Sequence, residues 1–377
     1  MNSTNTISQR ALDVIHYPDP LLSYVTEAKK NPYQPMYNEN GVVEIGLAEN
    51  KLCEDLIKQK LTELLPTKIE SDDLYYFTNH GSVGFRRAIK NFLNKFFNPL
   101  NPINEENLVV VTGVTCVLDL VADGLAEEGD RFLCPAPYYS RIRNDIHDKS
   151  QVYTYDVDIA ETGVRIKGII VINPNNPSGQ LLTKEEIDDV LQFTKLNNIH
   201  AIFDEIYGLS IHSRKNVFRS VSSVENLDPE KTHFMWGLSK DIGLAGFRCG
   251  VLHTTNKELL NFVQKVAFCS SLPLFVQKIL ESLLNQTEWL ETKYFPILQQ
   301  RLEESYQIAT ERLKKLGVTI YPSDGGFFIW ANFSKFMQDK SFKSEDDLIS
   351  ILLKGTWLVS NHFYAKFGNP TSWFGPH

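Results

Sequence analysis

The feature of this sequence that most constrains its fold is an alternation of short apolar runs with segments of helical periodicity. Residues 108–111 form an apolar run, and residues 116–126 follow with apolar side chains on one helical face. Further apolar runs predict strands at residues 131–134, 168–172, 199–203, 233–236 and 247–252. Strands that alternate with helices predict an α/β fold with a largely parallel sheet and right-handed crossovers.

A different pattern begins after about residue 262. Residues 288–316 predict a long helix that is interrupted near Pro296, and they are followed by a short apolar run at 318–321, a turn at 324–326 and another apolar run at 327–330. A single core stops growing at about 250–300 residues, and this chain has 377. We therefore expect a second, smaller α+β domain, with one large domain and a helical tail as the alternative.

Two local signals refine this outline. Thr183 and Glu186 form a capping box that opens a helix reaching about residue 197. Residues 31–41 are rich in Asn, Pro and Tyr and predict an irregular arm.

Composition excludes several classes of protein. The 38 Lys and Arg residues against 46 Asp and Glu give a net charge of −8 without a basic block, which argues against binding to nucleic acid or anionic lipid. No apolar run approaches the length of a membrane span, and the first ten residues lack the apolar region of a secretory signal. The five cysteines form no CxxC motif or Cys/His cluster, so we expect no metal site, and reduced thiols in a cytoplasmic protein.

Ligands of open α/β sheets bind at the carboxyl ends of the strands. The first predicted strand is followed by Thr-Gly-Val-Thr and a helix, a turn whose free amides and positive dipole end suit a phosphate. Thr112 or Thr115 as a plain N-cap is the alternative. The strand at 131–134 is followed by Pro-Ala-Pro-Tyr-Tyr, and these tyrosines either face an aromatic ligand or pack in the core.

The next strand ends carry further polar groups. Asn176 lies between prolines in a turn that makes it a fixed amide donor. Asp204 directly follows an apolar run, where a carboxylate needs a partner such as a cationic ligand nitrogen, or caps a helix. Lys240 lies among small residues with Arg248 eight positions further on, which predicts an imine-forming amine and an anion clamp.

These groups together match one cofactor, pyridoxal 5′-phosphate. Its aldehyde requires a lysine, its ring nitrogen an acid, its phosphate a helix N-terminus and an arginine, and its phenolate oxygen hydrogen-bond donors. A nicotinamide dehydrogenase is excluded because no GxGxxG follows a predicted strand, and neither a GxSxG nor a P-loop motif is present.

The motifs NPNNPSG, DEIY and SKDIGLAGFRCG, with VTGVT and PAPYY in the expected order, resemble those of the class I/II aminotransferases of the aspartate aminotransferase fold. With GLAEN at residues 46–50, the sequence is similar to the aminocyclopropane-carboxylate synthase-like proteins of animals. This resemblance, over residues 45–373, implies fold type I, with a mostly parallel seven-stranded sheet in a large domain, and a homodimer whose small-molecule substrate is an amino acid.

The domain boundaries that we expect come from the same resemblance. Residues 1–48 would form an N-terminal arm and part of the small domain, residues 49–290 the large cofactor-binding domain, and residues 291–377 an incomplete small domain.

The resemblance also implies roles around the cofactor ring. Lys240 would form a Schiff base with the cofactor and carry protons, and Asp204 would pair with the ring nitrogen. Asn176 and Tyr207 would donate hydrogen bonds to the phenolate oxygen. Tyr139, rather than Tyr138, would stack on the ring.

The phosphate and the substrate would be bound by other residues of the same set. The phosphate would be held by Arg248, by the amides of Val114 and Thr115, and by the Thr115 hydroxyl. Glu49 would lie at the mouth of the substrate site.

Three positions depart from the family pattern. Gly237 replaces a serine or threonine, and Asn79 replaces a tyrosine that reaches the neighbouring subunit's phosphate. The arginine that binds the substrate carboxylate is expected after Phe374, where Gly375 stands instead. The leading hypothesis is transamination through Lys240; a cyclopropane-forming or eliminating lyase, and a cofactor-binding protein with weak or no catalysis, are the alternatives.

Overall fold

A computed structural model describes residues 6–155, 163–339 and 341–354. The α-helices are α1 (Gln9–His16), α2 (Pro20–Ala28), α3 (Glu54–Leu64), α4 (Val83–Phe96), α5 (Val114–Leu125), α6 (Ile142–His147), α7 (Lys184–Asn197), α8 (Lys257–Val266), α9 (Leu274–Leu284), α10 (Thr287–Trp289), α11 (Phe295–Lys315) and α12 (Phe342–Lys354). The strands are β1 (Leu108–Val111), β2 (Arg131–Leu133), β3 (Tyr153–Tyr155), β4 (Ile166–Ile172), β5 (His200–Asp204), β6 (Thr232–Gly237), β7 (Gly250–His253), β8 (Thr319–Ile320) and β9 (Ala331–Asn332).

The large sheet has seven strands in the order β1-β7-β6-β5-β4-β2-β3. The strands β6, β5, β4, β2 and β3 pair in parallel. Strand β7 runs antiparallel to both of its neighbours, β1 and β6. The remaining six strands of this sheet all run in the same direction. The predicted α/β fold with a mostly parallel seven-stranded sheet is confirmed.

Two strands differ from the sequence prediction. Strand β7 begins at Gly250 instead of residue 247, because Arg248 has a φ of 54°, a left-handed conformation outside the β region. Strand β3 was not predicted, since three residues with aromatic ends carry too little periodicity to be recognised. It pairs with β2 at the edge of the sheet.

Helices cover both faces of the large sheet. On one face, helices that include α4 and α9 pack on the strands, and Phe92 stacks on Trp236 with ring centroids 4.8 Å apart. On the other face, α5, α6 and α8 bury residues such as Val121 against Met235. Each fully buried side chain of this size contributes about 1.5–3 kcal/mol, so the sheet forms a rigid floor for the loops at its edge.

Helices α5 and α7 begin where their local sequence dictates. Gly113 caps α5 with a φ of 94°, a conformation that is open to glycine, so the helix begins two residues earlier than predicted. The predicted capping box of α7 is present: the Glu186 amide donates to the Thr183 hydroxyl at 3.2 Å, and the Thr183 amide donates to the Glu186 carboxylate at 2.8 Å.

The C-terminal part of the described chain combines helices with a two-stranded sheet. A π-helical turn at Leu290–Tyr294 separates α10 from α11, so the predicted interruption near Pro296 is present. Strands β8 and β9 pair antiparallel, whereas the apolar run at 327–330 forms no strand. Instead, Phe327 and Phe328 pack against the core of the large sheet. The domain boundaries after residues 48 and 290 stay predictions.

The N-terminal part carries two helices, α1 and α2, that the sequence pattern did not reveal. The predicted irregular arm follows them and contains isolated bridges between Pro32 and Val42 and between Gln34 and Asn38. Within the described ranges, no single helix is long and apolar enough to cross a bilayer; the segments Lys257–Ser270 and Leu274–Leu284 reach that limit only jointly, with a bend of 117° between them.

Candidate active site

The candidate site lies at the edge where the parallel strands β4, β5 and β6 end. Asn176 follows β4, Asp204 is the last residue of β5, and Lys240 follows β6. Because neighbouring parallel strands end at the same edge of a sheet, these three groups come from distant parts of the chain to one place.

Asp204 is a partly buried carboxylate that accepts few hydrogen bonds from the residues that the structure describes. One of its oxygens accepts a hydrogen bond from the Ile206 amide at 3.2 Å, in a turn and not at the start of a helix. Burial raises the pKa of Asp204 to about 7, against the opposing effect of the Ile206 amide and the Lys240 charge. A cationic partner would restore the ionised form of such a carboxylate.

The Lys240 amine lies close to this carboxylate. Its Nζ donates to the Ala48 carbonyl at 2.6 Å and lies 6.0 Å from the centre of the Tyr207 ring. Burial lowers the pKa of Lys240, while the charges of Glu49 and Asp204 raise it. A lysine with a lowered pKa has a larger neutral fraction and is a better nucleophile.

Asn176 and Tyr207 form a pair beside these groups. Both side chains are buried. Burial raises the pKa of Tyr207, and a hydrogen bond from Asn176 partly offsets this increase. Within the described part of the chain, the Asn176 Oδ1 atom is buried and has no hydrogen-bond partner. A buried polar atom without a partner is rare in folded proteins and suggests that a ligand completes the site.

Free amides and a guanidinium meet at the N-terminus of α5. The helix has no side-chain cap, and its first amides to bond back to Gly113 are those of Cys116 and Val117. The amides of Val114 and Thr115 are therefore available to an anion. A Cβ atom on Gly113 would lie 2.5 Å from the Arg248 guanidinium, so this cation faces the same turn.

The Thr115 hydroxyl is engaged elsewhere. It donates to the Asp145 carboxylate at 3.2 Å, although the resemblance implied that it would hold the phosphate. Thr115 is also not the N-cap of α5, because Gly113 occupies that position. A hydroxyl has one proton to donate, so this contact changes what Thr115 can offer to an anion.

The two adjacent tyrosines point to different surroundings. The Tyr138 hydroxyl accepts from the Arg143 guanidinium at 2.7 Å and donates to Thr154 at 3.3 Å. Tyr139 faces the site instead: burial raises its pKa, the charges of Asp145 and Asp204 add to this effect, and Arg248 opposes it. The charges that act on Tyr139 belong to residues of the site, which places Tyr139 closer to the site than Tyr138.

Glu49 lies at the exposed rim. Its carboxylate is 3.3 Å from the Lys51 amine, and its charge acts on Lys240. Of the family departures, Gly237 has a physical reason, because a Cβ atom there would lie 2.6 Å from the Cys249 carbonyl. The structure gives Asn79 no such reason. The position of the expected carboxylate-binding arginine, after Phe374, lies outside the described residues.

Sequence reasoning missed two buried carboxylates next to the site. Asp241 accepts from the Ser210 hydroxyl at 2.6 Å and from the Trp236 indole at 3.0 Å. Burial raises the pKa of Asp241 to about 7 and that of Glu205 to about 8. Asp241 follows Lys240 in the chain, but no local sequence pattern predicts that the Ser210 hydroxyl donates to it.

The segment that carries Lys240 is also fixed through its backbone. The Asn50 amide donates to the Lys240 carbonyl at 3.2 Å, and the Tyr294 hydroxyl donates to the Asp241 carbonyl at 3.0 Å. These contacts hold the lysine in place from two sides of the fold, which limits the motion of its backbone.

Three features lie together at the ends of the strands: the Asp204 carboxylate, the Lys240 amine of lowered pKa, and the anion-binding N-terminus of α5. This combination defines a class of cofactor-dependent enzyme. The sequence profile "Aminotransferase class I and II" matches residues 43–366, and the chain belongs to this family. The family depends on pyridoxal 5′-phosphate, and no group of three or more His, Cys, Asp or Glu side chains among the described residues could hold a metal ion.

Comparisons with individual proteins indicate which branch of the family the chain resembles. The chain is 32% identical to the mouse (Mus musculus) "1-aminocyclopropane-1-carboxylate synthase-like protein 1", over 91% of this chain and 73% of that protein. It is 31% identical to the human (Homo sapiens) "Probable inactive 1-aminocyclopropane-1-carboxylate synthase-like protein 2", over 94% of this chain and 67% of that protein. The expected branch, the animal synthase-like proteins, is confirmed.

A solved structure supports the fold independently. Bna3p from Saccharomyces cerevisiae, "a Putative Kynurenine Aminotransferase", superposes with a TM-score of 0.78 at 16% identity, over 96% of this chain and 92% of that chain. At this identity the likeness shows the fold alone.

The residues of the site fit the family's cofactor. The free amides of α5 and the Arg248 guanidinium are donors that a phosphate could use, and the Asn176 side chain could reach the phenolate oxygen only through its Nδ2 group. Asp204 and Lys240 supply the acid and the amine that the ring nitrogen and the aldehyde require.

Proposed function

We propose that this chain is a pyridoxal-phosphate-dependent enzyme that transaminates an amino acid, with Lys240 as the amine that holds the cofactor. The observation that carries the proposal is the convergence of the Lys240 amine and the Asp204 carboxylate at the ends of adjacent strands, each with its pKa shifted by burial toward the neutral form. When bound, the cofactor would supply an electron sink for the charge that develops at the substrate's Cα.

Asp204 would hold the ring of the cofactor in its protonated form. A pair between this carboxylate and a pyridinium at about 4 Å is worth roughly 4 kcal/mol at an effective dielectric near 20, before desolvation. The carboxylate has one amide donor in the present structure, so its second oxygen is available for such a contact.

Lys240 would move a proton at the substrate's Cα. Its amine donates to the Ala48 carbonyl, and its lowered pKa increases the fraction of the neutral form, which accepts a proton. The Tyr207 hydroxyl and the Asn176 Nδ2 group would orient the ring edge beside it, and both side chains are buried.

The phosphate would be held by Arg248 and by the amides of Val114 and Thr115, which combine a charge with the positive end of the α5 dipole. Tyr139 would cover the flat face of the ring, and Glu49 would meet the substrate at the rim. We further propose that two copies of the chain form a homodimer, as the family resemblance implies.

Two other activities are kept as alternatives. A lyase that forms a cyclopropane or eliminates a β-substituent is supported by the name of the mouse relative. A cofactor-binding protein with weak or no catalysis is supported by the name of the human relative, and by the glycine at the position expected for the carboxylate-binding arginine. All three share the same cofactor contacts and differ in the fate of the bound amino acid.

The cofactor contact is tested by the visible absorption of the purified protein after incubation with pyridoxal 5′-phosphate. We expect a band that borohydride removes, with the reduced cofactor attached to Lys240 in peptide mass spectra. Lys240→Ala should abolish the band, whereas Lys265→Ala, which changes an exposed lysine of α8, should retain it. A band that survives Lys240→Ala, or label on another lysine, would contradict the proposal.

The reaction is tested by the products formed from a panel of amino acids with a keto-acid acceptor. Release of the matching keto acid supports transamination. Release of a cyclic amine or ammonia supports the lyase, and a band that no amino acid shifts supports the cofactor-binding alternative.

A further inference from the structure

An ion-pair network connects the N-terminal segment of the chain to the proposed phosphate cradle. Arg141, just before α6, contacts three carboxylates: Asp19 at the N-cap of α2, Asp145 at 3.0 Å and Asp148 at 3.1 Å. Asp145 in turn accepts the Thr115 hydroxyl proton at 3.2 Å. One guanidinium therefore faces three acids, and one of these acids touches the helix end where the phosphate would bind.

Asp145 is placed unfavourably for an anion. Its side chain is 3% exposed, so water does little to screen its charge. Its Oδ2 atom holds the only proton that Thr115 can donate, and a phosphate oxygen without a proton can only accept. A phosphate arriving at the amides of α5 meets both a buried negative charge and a hydroxyl that is already engaged.

We propose that Asp145 opposes the binding of the cofactor's phosphate in this chain, and that the opposition ends when Asp145 takes up a proton. This inference rests on the proposed function, since it presumes that the phosphate binds at α5. In the protonated form, Asp145 can donate to the Thr115 oxygen, and the Thr115 hydroxyl is then free to donate to the phosphate. The affinity for the cofactor is therefore linked to proton uptake.

The surroundings of Asp145 favour such uptake near neutral pH. Burial raises the pKa of Asp145 to about 6, Arg141 and Thr115 oppose that shift, and Asp148 adds to it. The other ionisable groups that face it are Asp204 and Tyr139 across the site, whose pKa values it raises, and Asp19 beyond Arg141. A bound phosphate would raise the pKa of Asp145 further.

The test compares the dissociation constants of pyridoxal 5′-phosphate and of pyridoxal, which lacks the phosphate, in the wild-type protein and in Asp145→Asn. At about pH 8 we expect the variant to bind the phosphorylated vitamer at least about tenfold more tightly, which corresponds to about 1.4 kcal/mol. Pyridoxal should bind both proteins within about twofold. Equal or weaker binding of the phosphorylated vitamer by the variant would overturn the inference, and so would an equal gain for pyridoxal.

A matched control removes a charge from the same network without touching Thr115. Asp148→Asn changes another carboxylate that Arg141 binds, and we expect the affinity for either vitamer to change by less than about twofold. A gain equal to that of Asp145→Asn would show that only the net charge matters and would overturn the role of the Thr115 contact.

The pH dependence provides a second readout. The ratio of the wild-type and Asp145→Asn dissociation constants cancels the phosphate's own ionisation, so it should fall from about ten at about pH 8 toward one at about pH 5.5. A ratio independent of pH would overturn the linkage to proton uptake.

A separate variant keeps the inference testable if Asp145→Asn does not fold. Thr115→Val removes the hydroxyl, and its cost to the binding of the phosphorylated vitamer should be larger at about pH 5.5 than at about pH 8, because only the protonated Asp145 frees the hydroxyl. An equal cost at both values would contradict the inference. If neither vitamer binds the wild-type protein, the proposed function fails, and this inference fails with it.

Discussion

The acid at the edge of the site and the two buried acids behind the site differ in how their hydrogen bonds are satisfied. At the site, the Asp204 carboxylate accepts from one amide, at 3.2 Å. Directly behind it, Glu205 accepts from the Ser220 hydroxyl at 2.6 Å and from the Val221 amide at 2.7 Å. Asp241, behind Lys240, likewise has a hydroxyl and an indole donor.

The pKa values do not distinguish these regions. Burial raises the pKa of Asp204 and of Asp241 to about 7 and that of Glu205 to about 8, so a raised pKa by itself marks burial and not chemistry. The regions differ in their unused hydrogen-bonding capacity: among the described residues, Asp204 accepts from one amide, and the buried Oδ1 atom of Asn176 has no partner. Glu205 and Asp241 therefore support the fold, whereas Asp204 keeps capacity for a ligand.

The largest effect that we expect comes from changing the acid at the edge of the site, Asp204. Asp204→Asn removes the charge that would pair with the ring nitrogen, and we expect activity to fall by more than about 100-fold, consistent with the loss of roughly 4 kcal/mol of electrostatic interaction. Turnover of the loaded protein measures it. The control is Glu205→Gln, which alters the neighbouring acid and should leave turnover within about threefold; an equal loss of turnover in both variants would contradict the distinction between them.

The second prediction concerns pH and the cofactor-free protein. The folded state binds the Asp204 proton more tightly than the unfolded chain does, since its pKa is about 7 instead of 3.8. The stability from this group is complete below about pH 4 and is lost as the pH rises through about 7. As the pH rises from about 4 to about 7, the free energy of unfolding of Asp204→Asn should therefore increase by on the order of 2–4 kcal/mol relative to that of the wild type, as measured by urea unfolding. A constant difference would show that the Asp204 pKa is not raised.

The third prediction addresses the supporting acid behind Lys240. Asp241→Asn places an amide NH₂ where a carboxylate oxygen accepts from Ser210 or Trp236, and leaving one such donor unpaired costs about 1–3 kcal/mol in the free energy of unfolding. Because Asp241 adjoins Lys240, cofactor affinity should fall as well. Unfolding and binding titrations on the same sample separate the two effects, and unchanged stability would show that Asp241 is not a supporting residue.

The smallest effect concerns the glycine beside Arg248. Gly113→Ala adds a Cβ atom that would lie 2.5 Å from the guanidinium, so we expect the affinity for pyridoxal 5′-phosphate to fall several-fold. Gly129→Ala is a matched control, because this glycine also has a positive φ, of 84°, but nothing within 4 Å of the added atom. Both variants should lose on the order of 1 kcal/mol of stability from backbone strain, and equal affinities in the two would contradict the proposed role of Arg248.

Much of the site could be predicted from the sequence because its residues follow the strands directly. Asn176, Asp204 and Lys240 each come just after an apolar run, and the parallel order of the runs brings their ends together. Strand β3 and the helices α1 and α2 were missed, since their short patterns carry weak periodicity. The start of β7 was misplaced, because nothing local predicts the left-handed conformation of Arg248.

The sequence by itself determined the α/β architecture, the family and the identity of the groups at the strand ends, because these depend on local periodicity and on the residues that end each strand. Only the tertiary structure decided which partner each group has: that Thr115 donates to Asp145, that Ser210 and Trp236 hold Asp241, and that Asn176 keeps an unpartnered oxygen. The physical reason is that a hydrogen bond depends on distances between side chains far apart in the chain, which no local pattern encodes.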